Sequence, residues 1–430
     1  MALQPVHVPR LEETLYHETL PNGLQVFLLP KPGYRKTYAT FTTRFGSIDR
    51  HFRLRNGEPI EVPDGIAHFL EHKMFEEEDG DVFHRFSQQG ASANAFTSFT
   101  RTAYLFSCTD KVKENLLTLL DFVQRPYFTD ENVEKEKGII GQEIRMYEDD
   151  PDWQVYFGLI QALYQRHPVR IDIAGSVESI SRITKEMLYR CYETFYHPSN
   201  MLLFVVGQID PDEVIHWVRE NQAAKTFAPP SEVTRLYPEE PQEVANPERR
   251  RQLSVGVPKL MFGFKEGRLL SGDALLRREC ETELAMEALF GTGSELYQQL
   301  YDENLIDDSF GYQLVEETAF AFTMVGGDTP DPERLLSIVK ERLARHLDEG
   351  LSEETFERVR RKKIGQWLRS LNSLEFIANQ FTSYRFNGTD LFAVLPMLER
   401  ITCEDVNRRM REHLHPEQMA VSIVEPLVSR

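Results

Sequence analysis

The chain repeats itself, and that repeat limits its possible folds more than any other feature. Ile183-Thr184, His197-Pro198 and Met201 recur as Ile401-Thr402, His415-Pro416 and Met419, five identities held at one offset of 218 residues. Asp110 follows an apolar run at 103–106, Asp328 follows one at 319–324, and the pair keeps the same offset. Each precedes a helical pattern, marked by Leu116 and Leu117 in one copy and by Leu335 and Leu336 in the other. A small insertion then moves the register, so that 128–133 corresponds to 351–356 at an offset of 223. Both segments place a Thr or Ser N-cap and first-turn acids at the start of a long charged helix. The reading is two homologous halves, 1–225 and 251–430, joined by a polar linker at 226–250 that carries Pro229, Pro230, Pro238, Pro241 and Pro247.

Length agrees, because a single core seldom grows beyond about 250–300 residues and this chain has 430. Each half opens with β-like alternation, as in Gly23–Leu29 after a Pro21-Asn22-Gly23 turn, and ends with a helix feeding a buried strand around 202–206. Strands and helices interleave without the regular rhythm of a parallel βαβ sheet, so the expected class is α+β: two homologous domains, each a mainly antiparallel sheet packed with helices. The formal net charge of −19 argues against nucleic acid as a partner and suits basic ligands. No apolar run approaches the roughly 18–20 residues of a membrane span, and no export signal is visible at the N-terminus. Four scattered cysteines without a paired motif suit reduced thiols, so the expected location is cytoplasmic.

The densest chemical signal is His68-x-x-Glu71-His72. On a helix, residues 68 and 72 lie one turn apart and 71 lies beside them, so two imidazoles and a carboxylate share one face. Ile66, Ala67, Phe69, Leu70, Met74 and Phe75 make the rest apolar, giving a helix fit for burial with one polar stripe. Hydrogen-bonded core histidines would show the same spacing. Two histidines so placed can also offer nitrogens to one Zn²⁺, which needs a third protein ligand and an open position for water. Glu71 then suits the role of general base. The third ligand must come from elsewhere. Glu136 and Glu143, two turns apart on one charged helix, are both candidates on spacing alone.

The order His-x-x-Glu-His is the inverzincin signature, and with it the chain resembles the pitrilysin/insulysin peptidases, a family that includes mitochondrial processing peptidase. The likeness runs nearly end to end, through Leu20–Leu24, the histidine helix, Ser92–Thr97, the acidic helix and Tyr196–Met201, and is nearest to bacterial half-length members. It implies a zinc endopeptidase whose two domains form half of a clamshell. It further implies that Glu143, 71 residues beyond His72, is the third zinc ligand and that Glu136 supports the site from behind. Asn94, Ala95 and Phe96 match positions beside an edge strand on which an extended substrate is laid.

The second half has lost the metal set, with Gly365-Gln366-Trp367 where the first half has Gly141-Gln142-Glu143. The family's second domain also supplies an arginine and a tyrosine seven residues apart that hold the substrate carbonyl. Alignment puts Tyr301 and Asp308 in those places, so the pair is missing. The resemblance therefore implies a heterodimer with a homologous chain that brings the Arg/Tyr pair, with a homodimer as the fallback. The alternative is a non-catalytic peptide-binding or scaffold subunit of such a heterodimer.

Overall fold

The computed structural model describes residues 3–427 except 9, 56, 79, 416 and 417, so Pro416 of the repeat lies outside the described residues. Two compact units emerge. The first comprises Met1–Ile144, Ile171–Tyr237 and Leu371–Phe386, and the second Arg145–Arg170, Pro238–Ser370 and Asn387–Arg430. The class is α+β.

The sheet of the first unit runs, in spatial order, Gln4–Val8, Glu13–Thr19, Gln25–Pro30, Met201–Gly207, Thr37–Thr43, Thr102–Cys108, Ser92–Thr97. The sheet of the second runs Glu248–Leu253, Met419–Pro426, Lys259–Lys265, Ala321–Asp328, Gly311–Glu316. Strand for strand, the five of the second sheet match the last five of the first. Each sheet contains one parallel pair, Gln25–Pro30 with Met201–Gly207 and Glu248–Leu253 with Met419–Pro426, among otherwise antiparallel ladders. The duplication seen in the sequence is thus a duplication of topology.

The central strands Thr37–Thr43 and Met201–Gly207 are buried at every residue, so helices must cover both of their faces. One cover is the helix Leu374–Phe386, which comes from the second repeat and lies on these two strands. Its Phe381 ring sits 4.8 Å from both Phe27 and Phe204. In the second unit the helix Pro151–Leu163, from the first repeat, packs on Met419–Pro426 and Lys259–Lys265 in the same manner. Gly158 permits that approach, since a Cβ there would stand 2.3 Å from Ser422 Oγ. The repeats have exchanged one helix each, so the compact units interleave along the chain while the repeats are continuous.

Parts of the Pro-rich segment 226–250 are built into the units. Val233–Arg235 pairs with His51–Leu54, and Arg235 Nε and Tyr237 Oη both reach buried Asp49 Oδ1, at 2.7 and 2.9 Å. Further on, the Glu240 carboxylate accepts the backbone N–H groups of Gln165, Arg166 and His167 at 2.7–2.8 Å.

Candidate metal centre

Gly65 opens the helix Ile66–Met74 at φ 88°, the left-handed region, with Ala174 O only 2.3 Å from where a Cβ would stand. That contact sets where the helix begins and hence which residues face the site. Ile66, Ala67, Phe69, Leu70 and Met74 are buried in the core. His68 and His72 share the remaining face, with ring centroids 4.5 Å apart. The helix Asp130–Asp149 brings Glu143 opposite them, its Oε1 3.6 Å from His68 Nε2 and its Oε2 3.6 Å from His72 Nε2. Ligand atoms of these three residues all lie within 4.8 Å of one another.

These separations test whether a metal fits. Zn²⁺ with bonds of about 2.0–2.1 Å holds its ligand atoms about 3.4 Å apart; here each Glu143 oxygen lies 3.6 Å from one imidazole nitrogen, and one ligand atom from each residue falls within 4.8 Å of the others, a spread that small side-chain rotations close. His72 Nδ1 lies 3.0 Å from Glu136 Oε1, and in the neutral ring that contact uses the N–H, leaving Nε2 a bare lone pair aimed at Glu143. Lone pairs converging on a carboxylate repel unless a cation sits among them. The donor set fits Zn²⁺.

Electrostatics separate the two imidazoles. Burial, with His72 nearby, pushes the His68 pKa down to about 3, so its ring stays neutral. For His72 burial also disfavours the charged form, but the Glu136 hydrogen bond and the charges of Glu71, Glu136 and Glu143 outweigh it and raise the pKa. Burial raises that of Glu71, against the opposing effect of a 2.7 Å hydrogen bond donated by Thr97 Oγ1 to Glu71 Oε2. Behind His72, Glu136 stands between the imidazole and Lys73, a fully buried lysine whose Nζ pairs with Glu76 and lies 3.9 Å from Glu136 Oε2.

The structure therefore brings His68, His72 and Glu143 together, with Glu71 beside them and Glu136 behind. Asn94, Ala95 and Phe96 lie on the edge strand Ser92–Thr97. Alternation turns Ala93, Ala95 and Thr97 toward the core and the histidine helix, and Asn94 and Phe96 the other way. Asn94 Oδ1 accepts its neighbour's N–H, Ala95 N, at 2.9 Å, and the Arg101 guanidinium lies 5.9 Å from the Phe96 ring centre. Sequence reasoning missed Thr97 and Lys73. Parity with Ala95 could have flagged Thr97, and an ammonium inside an apolar helix could have flagged Lys73.

A duplicated α+β scaffold with such a donor set defines a class of protein, and comparison with known proteins agrees. The family model described as Insulinase (Peptidase family M16) matches residues 57–176, and that described as Peptidase M16 inactive domain matches 182–363. The uncharacterized zinc protease YmfH of Bacillus subtilis (strain 168) is 53% identical over 99% of both chains. An M16-like peptidase structure from Alicyclobacillus acidocaldarius superposes with a TM-score of 0.95 at 46% identity, covering 98% of this chain and 100% of that one. A protease structure from Helicobacter pylori shares the fold, with a TM-score of 0.81 at 18% identity over 96% of this chain and 100% of its own. This chain belongs to the M16 peptidase family. Among the described residues no helix is long and apolar enough to cross a membrane.

Proposed function

We propose that the chain is a zinc-dependent endopeptidase that cleaves peptides or unfolded segments, with His68, His72 and Glu143 as the metal ligands and Glu71 as the general base. The observation that carries this reading is the meeting of three metal-type donors from two helices with a buried carboxylate beside them. A bound Zn²⁺ would supply Lewis acidity, lowering the pKa of water and polarising the scissile carbonyl. Glu71 takes a proton from the attacking water as its oxygen bonds to the carbonyl carbon. The same carboxyl returns that proton to the amine nitrogen as the C–N bond breaks. Glu136 keeps the His72 ring oriented through Nδ1. Asn94, Ala95 and Phe96 belong to the strand that receives substrate, with the backbone of Ala95 facing the open edge and those of Asn94 and Phe96 facing the ladder.

The partner follows from what the second repeat lacks. Tyr301 is half exposed and stacked on Tyr297, and Asp308 is an exposed turn residue, so neither offers the cation of an arginine. A homologous chain supplying an Arg/Tyr pair would complete oxyanion stabilisation, a contribution worth about 10²–10³-fold in comparable sites. Metal analysis and cleavage of a mixed peptide pool, by the chain alone and co-expressed with homologous chains, test the whole reading. Expected are about one zinc per chain, weak cleavage alone and strong cleavage with the partner. Full activity alone would favour the homodimer. Stoichiometric zinc without hydrolysis under any pairing would favour a peptide-binding scaffold.

A further inference from the structure

Thr97 belongs to two systems at once. Its backbone ends the strand Ser92–Thr97, which among the described residues pairs only with Thr102–Cys108 and so leaves one side of the ladder open. The turn bond from Ser98 N to Arg101 O makes Phe96 and Asn94 the residues that bond across the ladder, so the backbone groups of Ala93, Ala95 and Thr97 point outward, where an extended peptide would pair. Its side chain, on the face toward the histidine helix, donates the 2.7 Å hydrogen bond to Glu71 Oε2. Across the ladder Thr102 Oγ1 stands 3.3 Å from Thr97 Oγ1 and gives its own proton to Phe45 O at 2.9 Å, so with the Thr97 proton on Glu71 the two hydroxyls meet as a packing contact.

With Glu71 read as the base above, we propose that Thr97 is a positioning residue that couples peptide occupancy of the strand edge to the orientation of Glu71. A peptide paired along Ala93, Ala95 and Thr97 immobilises the strand, and the strand immobilises the Thr97 hydroxyl. That hydroxyl holds Oε2, so Oε1 is presented to the attacking water. Contacts remote from the scissile bond are then expressed in kcat and not only in KM. A hydroxyl that merely satisfied a buried carboxylate would link nothing to substrate length.

The test compares wild type, Thr97→Val and Thr97→Ser, in the assembly that turns over, on two peptides with the same scissile bond. One peptide spans the strand and the other is truncated near the cut. In the wild type the long peptide should have the higher kcat. Thr97→Val should lower kcat on the long peptide about tenfold, erasing that advantage, with zinc content unchanged and KM within about twofold. Thr97→Ser should restore it. An unchanged kcat in Thr97→Val, or an equal loss on both peptides, overturns the coupling. Glu71→Gln serves as the control. If it still turns over, the base assignment fails and the coupling fails with it, whereas an inactive Glu71→Gln beside an unaffected Thr97→Val removes the coupling alone.

Discussion

The same three elements meet in both repeats, and they meet over opposite charge arrangements. In the first repeat the helix Ile66–Met74, the edge strand Ser92–Thr97 and the helix Asp130–Asp149 gather His68, His72, Glu71, Glu136 and Glu143, and the buried cation Lys73 lies behind Glu136. In the second the helix Gly272–Phe290, the edge strand Gly311–Glu316 and the helix Glu353–Ser370 border a cleft of about 500 Å³. There Tyr312 Oη donates to Glu287 Oε2 at 2.8 Å and contacts Glu283 Oε1 at 3.1 Å, while Lys362 Nζ reaches Glu287 Oε1 at 2.6 Å and Lys363 pairs with Glu283. Two carboxylates are neutralised by two lysines of the same chain. One scaffold can therefore leave its carboxylates short of a counter-ion or supply that ion itself, and the choice decides whether an external cation has a place.

Substitutions can break this contrast, beginning with the largest effect. Glu143→Gln removes the carboxylate that faces both imidazoles, and zinc content should fall from about one per chain to near zero, with turnover lost alongside. Atomic absorption and a peptide assay read both quantities. Glu71→Gln should leave zinc in place and lower kcat by about 10²–10⁴-fold, which separates the base from the ligands. If zinc also left, Glu71 would be serving as a ligand.

A third test compares buried imidazoles. His413, wholly buried in the second unit, has its pKa lowered to about 4, chiefly by burial and with help from Arg409 against the pull of Glu266. Its unfolded value is near 6.5, so it contributes stability above that pH. The contribution fades as pH falls toward 4, because the unfolded chain takes up a proton that the folded one refuses. The loss should approach about 3 kcal/mol. Denaturant unfolding at several pH values should show a flatter acid slope for His413→Gln than for wild type.

The smallest effect sharpens the contrast from the other side. Glu287→Gln with Lys362→Met removes an ion pair from the second cleft, and zinc content and kcat should stay within about twofold of wild type. A larger change would mean that the second cleft takes part in turnover.

How much of this was legible in the sequence depended on the range of the interaction. The α+β class followed from local patterns, and the single polar face of Ile66–Met74 follows from helical spacing alone. The hydrogen bond from Thr97 to Glu71 joins residues on separate elements, and parity with Ala95 marks only the face on which Thr97 lies, not its partner. The exchanged helices were hidden for a related reason. Periodicity in Pro151–Leu163 and Leu374–Phe386 shows that one face of each is buried, but not which of two near-identical sheets receives it. Lys73 escaped notice because its partners, Glu76 and Glu136, approach from the short strand Glu76–Glu77 beyond the helix and from another helix.

The exchanged helix also imposes an order on synthesis. Thr37–Thr43 and Met201–Gly207 leave the ribosome early, yet the helix that seats Phe381 beside Phe27 and Phe204 is not complete until residue 386 has been made. Through that interval the first sheet keeps an uncovered apolar flank on strands that are wholly buried in the finished protein. A nascent or clipped chain ending before residue 371 would carry the entire candidate metal centre and still be a client for chaperones, prone to aggregate through that flank.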